Sequence, residues 1–202
     1  STNTNISSTL DAKKDITSNI NGTATNSGTL IMSGTNQTIN GDIGNTNSLN
    51  RFDVNSTTTV TGNINSTNIG GNGTLIMNGT TQSITGIVGT TNLNINSGTT
   101  TVNGNINSQN TNINNNSSLT LNNSTVNSVI KTGTAGTGNL NLSGTNSITG
   151  DVGEASKKLN NINALANSNT IFNDNIYSNN INLDISSTLD AKKDITSTIT
   201  GS

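Results

Sequence analysis

Apolar residues arrive along this chain in short clusters, grouped in threes and separated by polar runs. Leu30/Met32, Ile39 and Ile43 are followed by Phe52/Val54, Val60 and Ile64, then by Leu75/Met77, Ile84 and Val88. The series continues as Leu93/Ile95, Val102, Ile106; Leu119/Leu121, Val126, Val129/Ile130; Leu140/Leu142, Ile148, Val152; and Leu159/Ile162, Ile171, Ile176. Leu10, Ile16, Ile20 and Leu189, Ile195, Ile199 extend it to both ends. Within clusters the alternation has period two, as in Leu-Asn-Leu and Leu-Thr-Leu, so one side of each segment points inward and the other meets water. Three short strands per rung, joined by tight Gly-Asn and Gly-Asp turns, describe an all-β parallel β-solenoid of about nine rungs of roughly 22 residues. Asn, Thr, Ser and Gly are poor helix formers, and the aliphatics lean toward Ile, which argues further against helix. Two stretches interrupt the pattern, Ser8 to Ile16 and Gly153 to Asn167, and both read as loops or single helical turns at a corner of the coil.

Repeats support the same architecture. Gly28-Thr-Leu-Ile-Met-Ser-Gly34 returns 45 residues later as Gly73-Thr-Leu-Ile-Met-Asn-Gly79, with Gln37 and Ile39 matched by Gln82 and Ile84. Between these copies lies Thr57-Thr-Thr-Val60-Thr-Gly62-Asn-Ile64, which returns as Thr99-Thr-Thr-Val102-Asn-Gly104-Asn-Ile106. On this spacing, a 45-residue unit is expected to make two turns of one spiral.

A longer repeat joins the two ends. Ile6 to Ser18 is identical over 13 residues to Ile185 to Ser197, at an offset of 179. Eight rungs of about 22 residues account for that offset. The chain therefore reads as one solenoid segment, 1–202, in which 6–184 form one 179-residue module and 185–202 begin the next module or form a matching terminal rung. Ends that look alike and carry no recognisable cap imply unprotected strand edges and head-to-tail stacking on copies of itself or on adjacent modules.

Composition narrows the function. Asn, Thr, Ser and Gly number 43, 37, 25 and 21 of 202 residues, and only 27% are hydrophobic, too few for an ordinary globular core. The formal net charge of −2 creates no field for phosphate backbones, and Phe52, Phe172 and Tyr177 are too few to stack bases. Nucleic acid is thus not an expected partner, and no apolar run is long enough for a membrane-spanning helix. With no His or Cys, one Glu and nine Asp, the chain lacks the groups that tune acid–base or nucleophilic chemistry, so it does not read as an enzyme, and no cofactor or metal is expected.

The segments Ile39-Asn-Gly-Asp-Ile43-Gly44, Thr57 to Ile64, Ile148-Thr-Gly-Asp-Val152-Gly-Glu154 and Lys158-Leu-Asn-Asn-Ile162 are similar to repeats in the passenger regions of bacterial autotransporter surface antigens. The resemblance implies a right-handed parallel β-helix, exported to the cell surface, that serves as an adhesin, stalk or layer protein. On that basis the expected function is a non-enzymatic extracellular building block of a filament, stalk or coat. The competing expectation is an adhesin that holds host glycan or protein through the protruding segment near Gly153 to Asn167.

Charge concentrates at the repeated ends. Asp11, Lys13, Lys14 and Asp15, and their copies Asp190, Lys192, Lys193 and Asp194, are the candidate inter-subunit or inter-module contacts. The Thr57–Thr59 and Thr99–Thr101 runs raise a further idea, a flat row of hydroxyls such as binds ice, which fades at Ser117-Ser118 and Thr170.

Overall fold

Leu30 lies directly beneath Phe52, and Phe52 beneath Ile69, each pair joined by parallel backbone pairing. That column is one edge of a three-sided prism. The computed structural model describes residues 2–201, which form 23 strands and no helix. All strand-to-strand pairings among them are parallel, so the chain is a parallel β-solenoid.

Registers define three faces. Face A carries Leu10, Leu30, Phe52, Ile69, Val88, Ile106, Val126, Ile148, Phe172 and Ala191, each stacked on the next. Face B carries Ile16, Ile39, Val60, Met77, Ile95 and Ile113, with a neighbouring column Thr58, Leu75, Leu93, Thr111, Ile130, Val152, Ile176 and Ile195. Face C carries Ile20, Ile43, Ile64, Ile84, Val102, Leu121, Leu142, Ala164 and Leu183. Face A thus shows ten turns, in line with the rung count read from the apolar clusters. Side chains along these columns are buried in the lumen over most of the length, each contributing ~1.5–3 kcal/mol through removal from water.

The 45-residue repeat does not make two turns. Leu75 and Met77 stack on Thr58 and Val60, on face B, whereas Leu30 and Met32 stack on Phe52 and Val54, on face A. The repeat therefore advances two turns and one face. The slip arises at the corner from C to A: Ile43 and Leu49 are separated by the loop Gly44–Ser48, but strand β8 (Ile64–Gly70) runs straight around the corner. Its Ile64 pairs with Ile84 on face C and its Ile69 with Phe52 and Val88 on face A. Shortening that corner moves every later residue forward by one face.

The expected loops are partly strand. Thr9–Ala12 and Leu159–Ala164 are regular strands paired within the stack, which leaves only Lys13–Asp15, Gly153–Lys158 and the turn after Ala164 as corners. Alternation explains this: Leu10/Ala12 and Leu159, Ile162 and Ala164 sit at inner positions, and burial outweighs the helical propensity of Ala and Leu. One inner residue also differs, since Thr170 and Phe172 face the lumen and Ile171 does not.

Asn serves two purposes in this fold. At corners, Asn26, Asn36, Asn115, Asn123 and Asn167 adopt left-handed backbone with φ of 49–59°, a conformation Asn tolerates better than other side chains. On the outer faces, side-chain amides form ladders between turns: Asn112 Nδ2 donates to Asn94 Oδ1 at 2.7 Å, Asn163 to Asn141 at 2.8 Å and Asn182 to Asn163 at 2.8 Å. Polar outer positions thereby hold successive turns together as the apolar columns do inside.

Candidate functional site

The two charged quartets occupy the same corner of the prism, between faces A and B, at opposite ends. Leu10 and Leu189 are both inner residues of face A, Ile16 and Ile195 of face B, and Ile20 and Ile199 of face C. Nine turns separate them, so the 179-residue offset averages about 20 residues per turn rather than the 22 expected from eight rungs. At about 4.8 Å per turn the quartets lie roughly 43 Å apart along the axis, and the structure does not bring them together within one chain.

At the first turn, Lys13 Nζ lies 2.8 Å from Asp11 Oδ2 and donates to Ser33 Oγ at 2.6 Å, while Ser33 Oγ donates to Asp11 Oδ1. The hydrogen bond from Lys13, followed by that from Ser33, holds the Asp11 carboxyl below the usual carboxylate range. Asp15 Oδ1 accepts the Thr38 backbone N–H at 2.8 Å, and the Lys14 carbonyl accepts Gln37 Nε2 at 2.8 Å. At the last turn, Lys192 pairs with Asp190 at 2.5 Å and Lys193 reaches Asp174 in the turn below at 3.7 Å. The Asp194 backbone carbonyl accepts the Ile176 N–H at 2.9 Å. All these ion pairs are solvent-exposed and individually weak.

Among the described residues, a recess lies at the first turn and another at the last. At the first turn a recess of about 380 Å³ is lined by Leu10, Ala12, Ile16 and Ile20 together with Thr4. At the last turn a recess of about 340 Å³ is bordered by Ala164, Leu183, Thr200 and Gly201. Ile199 is 52% exposed, and Leu189, Ala191 and Ile195 are only half-buried.

Spacing alone left out the role of the matched glutamines. Gln37 Nε2 donates to the carbonyls of Ala12 and Lys14 in the turn below, and its Oε1 accepts the Gly34 N–H at 2.6 Å. Gln82 does the same with Val60 and Gly62 and with Gly79, at 3.1, 2.6 and 2.6 Å. Their signal in the sequence is position: each follows the second Gly of the repeated heptapeptide by three residues. Above them lie Thr58 and Thr100, the middle residues of the two Thr runs, which face the lumen with hydroxyls that have no partner.

The Thr runs do not form one row. Thr57 and Thr59 lie on the outside of face B and Thr99 and Thr101 on the outside of face C, a consequence of the same phase slip. In the Gly153 to Asn167 segment the corner is closed by mutual backbone bonds between Glu154 and Lys157, and it exposes Ala155, Ser156 and Lys157. Among the described residues no three His, Cys, Asp or Glu side chains gather as a metal site, and no helix is long and apolar enough to cross a membrane. The chain matches no protein-family model, no curated protein and no solved structure.

Proposed function

We propose that this chain is a non-enzymatic structural protein, an extracellular β-solenoid unit that stacks end to end into a surface filament, stalk or coat. The observation that supports it is the placement of the identical end segments: the same residues lie on the same three faces, nine turns apart. A second copy set on the last turn meets a surface that repeats its own first turn, and such a heterologous contact does not close on itself, so it propagates. Unpaired strand edges at each end supply the backbone donors and acceptors for the contact. The cell-surface setting rests on the resemblance to autotransporter passenger repeats. The partners are copies of this chain or adjacent modules.

Negative-stain electron microscopy of the purified 202-residue chain tests the proposal. Rods much longer than the roughly 48 Å of ten turns are expected with rising concentration. A population that remains at the 20.6 kDa monomer at all concentrations overturns it.

A further inference from the structure

The first and last described turns are not equally covered. Strand β1 (Asn3–Ile6) pairs with β3 (Asn19–Gly22) and covers the start of face C, which continues upward through the bridge from Ile20 to Ile43. The match is uneven: Ile6 is buried in the core and Asn3 accepts a bond from Asn19, but three of the four residues are exposed, and Thr4 is set against Ile20, a hydroxyl-bearing residue over an apolar column. At the other end, β23 (Ile195–Gly201) finishes on face C with Ile199 half uncovered.

Stacking brings these two strands into competition. When β2 (Thr9–Ala12) of a second copy lies on β22 (Thr188–Ala191), with Leu10 over Leu189 and Ile16 over Ile195, the spiral requires Ile20 of the second copy to lie over Ile199. That place is held by its own β1. We propose that β1 is a removable cap, and that end-to-end assembly proceeds by strand exchange: Thr198, Ile199, Thr200 and Gly201 of one copy replace Asn3, Thr4, Asn5 and Ile6 against β3 of the next. The occupant is a second copy of this chain because the segments that meet are identical in sequence and matched in face. The exchange replaces Thr4 with Ile199 over Ile20, which puts an apolar side chain on an apolar column; it gives up the buried Ile6 for Gly201 against Gly22, and it retains parallel backbone pairing on β3. Such a cap holds back the self-complementary ends until an incoming edge displaces it.

This inference rests on the stacking reading, and the test separates the two. The chain has no Cys, so Asn3→Cys with Asn19→Cys, register partners on adjacent strands, introduces a single disulfide at a workable separation. With the wild-type chain forming rods, the oxidised variant is expected to stay monomeric and to form rods once reduced. Rods from the oxidised variant equal to those of wild type overturn strand exchange while leaving stacking intact; absence of rods from wild type overturns both. A second variant lacking residues 1–5 keeps the test decisive if the disulfide disturbs folding. It is expected to assemble at a severalfold lower concentration than wild type, and an unchanged threshold contradicts the cap.

Discussion

Leu30 and Leu75 hold the same position in two near-identical heptapeptides, yet Leu30 stacks on Phe52 and Leu75 on Thr58, on different faces of the prism. The local wiring nevertheless travels with the sequence. In both copies a Gln binds two carbonyls of the turn below and carries an inward Thr on top. The unit of design is therefore a single face with its corner, and whole turns are assembled from it in either phase.

Thr58 and Thr100 are fully buried with unpartnered hydroxyls. Replacement by Val keeps the shape and removes a polar group that gains nothing inside. Each of Thr58→Val and Thr100→Val is expected to stabilise the fold by about 1 kcal/mol, and the pair to be additive. Urea unfolding followed by circular dichroism measures it; a loss of stability in both variants contradicts the assignment of these hydroxyls to the lumen.

Gln82 makes three bonds that no smaller side chain reproduces. Gln82→Ala takes the side-chain partner from the Gly79 N–H and the Gly62 carbonyl, while the Val60 carbonyl keeps the Asn78 N–H; it is expected to cost about 2–4 kcal/mol, with Gln37→Ala behaving alike. A cost below that of an ordinary surface substitution in the same unfolding assay contradicts the bridging role.

Gly86 sits at the bulge between Thr85 and Ile87 with φ of +122°, and a Cβ there meets the Ser66 carbonyl oxygen. Gly86→Ala is expected to destabilise by about 2–4 kcal/mol, since both backbone and sterics oppose it. Gly201→Ala, where the surroundings are open, serves as the control and is expected to change little.

Stacked in register, the quartets meet like on like: Asp190 over Asp11 of the next copy, Lys192 over Lys13, Lys193 over Lys14 and Asp194 over Asp15. Such contacts repel at low ionic strength and are screened by salt, so rods are expected to form more readily from about 0.02 M to about 0.3 M NaCl. The double swap Asp190→Lys with Lys192→Asp preserves net charge and the local ion pair but places opposite charges across the contact. Because Lys193 over Lys14 and Asp194 over Asp15 still repel, it is expected to flatten the salt trend in light scattering; an unaltered trend removes Asp190 and Lys192 from the contact.

How far the sequence carries the fold follows from these cases. Period-two alternation identified Leu140/Leu142 and Leu119/Leu121 as inner residues, and the identical ends were visible without any structure. Phase was not legible, because Gly28–Gly34 and Gly73–Gly79 look alike and the cause of their divergence lies in a corner whose length differs by a few polar residues. Thr9–Ala12 was obscured for a related reason. Its Lys13-Lys14 continuation suggests a loop, and only stacking on Leu30 and Met32 makes it a strand. The charged candidates were found by repetition, whereas the cap formed by β1 had no signal beyond Thr4, whose polarity matters only once Ile20 is placed beneath it.

Spin labelling tests the face assignment most directly. Nitroxides are attached to the pair Thr59→Cys and Ile76→Cys, and separately to Asp53→Cys and Ile76→Cys. Thr59 and Ile76 are register partners on adjacent strands of face B, whereas Asp53 lies on face A and pairs with Gly70. Strong dipolar broadening is expected for the first pair, at roughly one strand spacing of about 4.8 Å, and far weaker broadening for the second. Stronger coupling between positions 53 and 76 means that the repeat makes two whole turns, and contradicts the advance by one face.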